Sequence, residues 1–172
     1  MLVTVKKGKM TETDLINFGV LNGWLKAIAR VNDKTNNGHE FKIIKYPRSS
    51  SIEEFCNQTF SKIAEEIAIK QESSIKSLLN KTFNSWFYQY QPNNSLQEYY
   101  LEDKSGNFSL YDKEWKKEWV VELVNLLIQT LKPNAAYLIY LKQLKNYYCN
   151  MSDDIVLVGD NQYFRIHCCL TD

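Results

Sequence analysis

Histidine, glycine and proline are scarce in this chain, with two, six and three in 172 residues. Scattered glycines leave no phosphate-cradling loop: neither GxxxxGK nor GxGxxG occurs. His39, His167 and four cysteines show no zinc-ligand spacing, so neither metal nor cofactor is expected. No apolar run approaches the roughly 20 residues of a membrane span. The best stretch, Val120 to Leu131, is broken by Glu122, Asn125 and Gln129. The opening MLVTVKKGKM has no apolar core of a signal peptide. A cytoplasmic location is therefore expected, with Cys56, Cys149, Cys168 and Cys169 as free thiols. The Asn-X-Ser/Thr triplets at Asn57, Asn80, Asn93, Asn107 and Asn150 then read as accidents of an Asn-rich chain.

What the chain does hold is aromatic surface and charge: 11 Tyr, 8 Phe and 4 Trp, with 24% charged residues. Such a composition suits binding better than catalysis. The length suits one globular domain over residues 1–172, burying about 70% of its extended surface. A formal net charge of +1 argues against a dedicated nucleic-acid binder. The charge is uneven: 13 Lys/Arg against 9 Asp/Glu in residues 1–96, and 8 against 11 in residues 97–172. That asymmetry could orient a charged partner.

Residues 2–6 suit a short strand. Thr11 or Thr13 can cap a helix reaching Asp33, with Glu12 and Asp14 in its first turn. Two apolar stripes run along it, one through Leu15, Phe18, Leu21, Leu25 and Ile28, the other through Ile16, Val20, Trp24, Ala27 and Val31. Both stripes together predict broad burial, and Gly19 with Gly23 predicts one tight helix contact. Lys34 to Glu40 reads as a loop, and Phe41 to Tyr46 as a strand stopped by Pro47. Ser50 with Glu53, or Ser51 with Glu54, supplies a capping box. Ile52, Phe55, Cys56, Phe60, Ile63, Ala64 and Ile67 then fall on one face of a helix. A further helix from about Glu72 groups Ile75, Leu78, Leu79, Phe83, Trp86 and Phe87.

A hairpin is expected across Leu96 to Tyr111, turning at Asp103–Gly106. Asp112 would cap a long helix stopped by Pro133. Its polar line of Glu118, Glu122, Asn125, Gln129 and Lys132 implies burial on most other sides. Ala136 to Leu141 is apolar on both faces and reads as a central strand. Asp154 to Val158 and Tyr163 to Cys169 form a closing hairpin, with positive φ expected at Asp160 and Asn161. The fold class is α+β, about four helices on a mostly antiparallel sheet.

Several chemistries can be weighed. His167-Cys168-Cys169 is the sole local cluster of metal-binding types, but neighbours on a strand point to opposite faces. Buried cysteines and an edge histidine are the plainer reading. A cysteine nucleophile, Cys56 or Cys149, would need His39 or His167 as base, and no nucleophile elbow surrounds either. The two histidines could instead run a metal-free RNA transesterification, with Lys42 or Lys45 steadying the developing charge. The carboxylate pairs Glu53-Glu54 and Glu65-Glu66 read as solvated helix faces, and Asp153-Asp154 as turn chemistry. Trp86-Phe87-Tyr88-Gln89-Tyr90 and Tyr99-Tyr100 are either core with a tyrosine rim or a contact patch.

The chain ends IVLVGDNQYFRIHCCLTD, a strand, a Gly-Asp turn, an aromatic strand and a terminal Asp. This ending resembles that of the immunity proteins bacteria make against polymorphic and contact-dependent growth inhibition toxins. The resemblance implies a non-enzymatic protein that binds a cognate toxin domain, of nuclease type, and blocks its active site. Such proteins tend to be acidic, and this chain is near neutral. Its acidic surface would come from Glu98, Glu102, Asp103, Glu114, Glu118 and Glu122. The expected contact residues are Glu98, Tyr99, Tyr100, Glu102 and Asp103, with Trp86, Tyr88 and Tyr90. Rival readings are a small ribonuclease or hydrolase using His39 and His167, and a non-enzymatic adaptor subunit.

Overall fold

Thr11 starts the first helix as its sequence suggests. Its hydroxyl accepts from the Asp14 N–H at 3.1 Å, and the Asp14 carboxylate accepts from the Thr11 N–H at 3.2 Å. Two orphan donors of the first turn are satisfied reciprocally. This computed structural model describes residues 10–32, 38–87 and 113–171, with residues 113–115 as backbone only. The strand expected at 2–6, the hairpin across 96–111 and the Asp112 cap lie outside the described residues.

Four helices and five strands follow in the order α1 (Glu12–Asn32), β1 (Gly38–Pro47), α2 (Ile52–Phe60), β2 (Ala64–Glu72), α3 (Ile75–Trp86), α4 (Lys113–Leu131), β3 (Ala135–Leu144), β4 (Met151–Val158) and β5 (Gln162–Thr171). The fold is α+β. The sheet order is β1-β5-β4-β3-β2, and every neighbouring pair is antiparallel. Helices α1, α3 and α4 cover one face. There Leu21, Leu25, Leu79, Phe83, Leu123 and Leu127 pack on Ile155, Leu157, Phe164 and Ile166. Helix α2 covers part of the other face, setting Phe55, Cys56 and Phe60 against Val156, Val158 and Tyr163. The period-two geometry of strands sorts consecutive residues of β4 and β5 between these two cores.

Several expectations are corrected. The helix expected through Ile67 stops at Phe60, and Ala64–Glu72 is an edge strand against β3. Ser61 caps α2 by donating its N–H to the Asn57 carbonyl, and the chain turns. Ile67 and Ile69 then alternate onto the α2 face, as a strand requires. The capping box is Ser51 with Glu54, whose carboxylate also accepts from the Ser50 N–H at 2.9 Å. Strand β1 begins at Gly38, so His39 and Glu40 are strand residues rather than loop. The central strand is β4, and β3 lies between it and the edge. Only Lys132 and Gln143 among the described non-glycine residues have positive φ. Asp160 and Asn161 therefore turn differently from the expected type, with the Gly159 N–H donating to the Gln162 carbonyl at 2.9 Å. Arg48 clamps this turn by donating to the carbonyls of Gly159 and Asp160.

Helix α1 buries its first stripe beyond Leu15, which is 50% exposed, and its second only where Trp24 and Val31 pack against the core. Leu21, Leu25, Ile28 and Ala29 are inside, whereas Ile16 is 62% and Val20 50% exposed. No atom lies within 4 Å of where a Cβ would sit on Gly19 or Gly23, so neither glycine serves a close contact. No described helix is long and apolar enough to cross a membrane.

Candidate functional site

The β4–β5 register places Asp154 opposite His167 and Val156 opposite Arg165. All four side chains face the α2 side of the sheet, which the small helix covers only in part. Burial of charge here needs pairing, because an isolated ion loses its hydration. Arg165 Nε donates to Asp154 Oδ1 at 2.7 Å, and His167 Nδ1 lies 3.0 Å from the same oxygen. Tyr148, from the β3–β4 connection, donates its hydroxyl to Asp154 Oδ2 at 2.9 Å and also meets Arg165 Nη2. The Arg165 guanidinium lies over the Phe60 ring, 4.6 Å from its centroid. That geometry suits a cation on an aromatic face.

Asp154, Arg165 and His167 are each under 10% exposed. Burial pushes the Asp154 carboxyl up, but the His167 hydrogen bond and the Arg165 charge outweigh it and hold it below its ordinary range. Burial pulls Arg165 down, and Asp154 more than restores it. Burial drives the Tyr148 hydroxyl well above its usual range, so it stays a neutral donor. Asp153-Asp154 is thus not turn chemistry: Asp154 anchors an ion network, and Asp153 accepts from the Trp86 indole at 2.7 Å on the opposite face.

Strand β1 completes the rim. Its register sets Lys42 opposite His167 and Glu40 opposite Cys169. Lys42 and Glu40 pair at 2.7 Å, and the other Glu40 oxygen lies 3.9 Å from His167 Nε2. Glu40, His167 and Cys169 bring one donor atom each within 4.8 Å of one another. Cys149 lies close enough to Cys169 to help raise its thiol, after the larger effect of burial. Cys168 faces the helix core. His167 and Cys169, two apart, share the other face of β5, beside the Glu40 carboxylate of the neighbouring strand. His167 is also not an edge histidine, since β5 lies between β1 and β4.

The other sequence-predicted sites fare differently. His39 alternates onto the helix-covered face of β1, its ring 5.8 Å from Phe41, while His167 occupies the opposite face. The sheet separates the two imidazoles, so they cannot share one reacting group as base and acid. Trp86 is 4% exposed, and its carbonyl accepts from Asn32 at 2.8 Å, so it is core rather than contact surface. Tyr88, Tyr90, Glu98, Tyr99, Tyr100, Glu102 and Asp103 lie outside the described residues. Glu118 and Glu122 are exposed on α4.

All four cysteines are free. Burial raises the Cys56 and Cys169 thiols to about 12 and Cys168 well above its ordinary value. Thiolates do the reacting. Labelling of the native, reduced protein should therefore modify the half-buried Cys149 first. The other three should react only after denaturation, when all four become accessible. Rapid native labelling of Cys56 or Cys168 would contradict this packing.

A cleft of ≈ 390 Å³ opens on the other side of β1, between that strand and α1. Lys26, Arg30, His39 and Lys42 line it with Glu40. Nothing in the sequence marked it, because it joins residues 26–30 to 39–42 through tertiary packing. Comparisons with protein-family models, curated proteins and solved structures gave no match.

Proposed function

We propose that this chain is a non-enzymatic binding protein of the immunity type, which occupies a cognate toxin domain and blocks it. The observation that carries the reading is the outward side of α1. Ile16, Gly19, Val20, Gly23 and Ala27 succeed one another at helical spacing and are all exposed. The opposite side of the same helix is packed shut. Large exposed apolar side chains beside open glycines offer a partner a surface to bury. Beside this stripe, the cleft presents Lys26, Arg30 and Lys42 against one carboxylate. Charge complementarity therefore favours a toxin face with an apolar ridge flanked by Asp or Glu. The resemblance of the C-terminal strands to immunity proteins supplies the partner class. In this fold those strands are the buried centre of the sheet, so they support the contact surface rather than form it.

The test is growth rescue. The chain should protect a host expressing the toxin domain encoded beside its gene, and should form a stable complex with that purified domain. Ile16→Glu with Val20→Glu should abolish both while leaving the melting temperature nearly unchanged, since exposed substitutions shift stability by within about 0.5 kcal/mol. Protection by the double variant at wild-type level would reject the α1 surface. Binding without protection would favour an adaptor. Self-association of the chain alone, lost in the same variant, would make the occupant a second copy.

A further inference from the structure

We propose that Glu40, His167 and Cys169 form a binding site for a divalent transition-metal ion of zinc type. This inference rests on the β1–β5–β4 register and is independent of the toxin reading.

Donor chemistry comes first. Imidazole nitrogen, carboxylate oxygen and thiolate sulfur together are the ligand set of zinc, whereas calcium and magnesium take oxygen. The three donor atoms already lie within 4.8 Å of one another. Tetrahedral zinc holds its donors at about 3.3–3.7 Å from each other, given bonds of about 2.0–2.3 Å. The Glu40 oxygen already lies 3.9 Å from His167 Nε2, and its side chain, 53% exposed, is held by Lys42 at 2.7 Å, a surface pair that a metal ion would replace. His167 and Cys169 sit two apart on one strand and stay on one face without rearrangement.

The support behind the histidine makes the second argument. Asp154 pairs with Arg165, whose Nε donates to its Oδ1 at 2.7 Å. His167 Nδ1 is the ring nitrogen that faces this network, 3.0 Å from Asp154 Oδ1, 3.3 Å from the Tyr148 hydroxyl and 3.4 Å from Arg165 Nη2. The other ring nitrogen, Nε2, faces Glu40 at 3.9 Å, on the side of the donor cluster. A carboxylate behind a histidine that turns its other nitrogen to a cluster of donors is the arrangement that orients metal-bound imidazoles. Charge closes the account. Asp154 and Arg165 neutralise each other, so a divalent cation would be balanced by the Glu40 carboxylate and one thiolate. On binding, the S–H bond of Cys169 breaks, its sulfur bonds the metal, and the proton leaves to solvent.

The test uses the full chain, reduced and titrated with Co²⁺, then with Zn²⁺. Wild type should develop a thiolate-to-cobalt charge-transfer band with visible d–d bands, saturating at one equivalent and displaced by Zn²⁺. Cys169→Ser should abolish the charge-transfer band, and Glu40→Gln should weaken binding at least about tenfold. Cys168→Ala, on the opposite face, should keep the spectrum. Absence of the band in wild type, or its persistence in Cys169→Ser, overturns the site. Should Cys169→Ser not fold, Glu40→Gln decides, because its position is exposed: unchanged cobalt affinity there also overturns the site.

Discussion

Asp154→Ala should destabilise the protein by about 3–5 kcal/mol, because it strands the Arg165 guanidinium in the interior without its carboxylate. The effect is a penalty of exposing one half of a pair, not the worth of the pair. Replacing both partners, with Asp154→Leu and Arg165→Met, should therefore recover much of the loss. Acid should reveal the same contact. The folded carboxyl titrates below its ordinary 3.8, so its contribution to stability is complete above that value. It is lost as pH falls through the lower folded value. Denaturant titrations should show wild-type stability falling below about pH 4, with this component missing in Asp154→Ala. A loss below about 1 kcal/mol in Asp154→Ala, at neutral pH, would mean that water reaches Arg165.

Leu127→Ala should cost about 2–5 kcal/mol, since the side chain is fully buried among α1, α3 and the sheet. Helix α4 lies between α1 and α3, so a cavity at its inner face loosens both neighbours. Glu122→Ala, on the exposed polar line one turn away, should stay within about 0.5 kcal/mol of wild type. Equilibrium unfolding of the two variants separates the buried side of α4 from its wet side. Equal losses would contradict the helix orientation.

Local signals in the sequence carried far. Thr11 and Ser51 hold side-chain oxygens where a first turn needs acceptors, and both helices start there. The inner face of α4 was legible from its polar line, with Val120, Leu123, Val124, Leu127 and Leu131 buried, although Trp119 and Val121 off that line are exposed. Residues 52–67 misled because Ile63, Ala64 and Ile67 continue a helical spacing by coincidence, across a turn that periodicity does not register. The second stripe of α1 misled for another reason. Apolar periodicity reports what a helix could bury, and here the second stripe finds neighbours at Trp24 and Val31 but none at Ile16 and Val20.

The ion network was partly derivable. Val158 pairs with Tyr163, and counting back from that turn sets Asp154 opposite His167. With Arg165 two residues earlier, the charge on one face of the expected hairpin was readable in principle. The acidic pair reads as a turn because it stands just ahead of the apolar run of β4, yet β4 begins at Met151 and includes both carboxylates. Glu40 could not have been placed, since the β1–β5 pairing joins segments more than a hundred residues apart.

The claim that α1 takes the partner is tested most directly by calorimetric titration of the purified toxin domain into three proteins. These are wild type, the Ile16→Glu and Val20→Glu double variant, and a Glu98→Lys, Glu102→Lys, Asp103→Lys triple variant. The account predicts that the α1 variant loses measurable binding while the triple variant binds within about threefold of wild type. Wild-type affinity in the α1 variant, with binding lost in the triple variant, would contradict it and move the contact to residues 98–103.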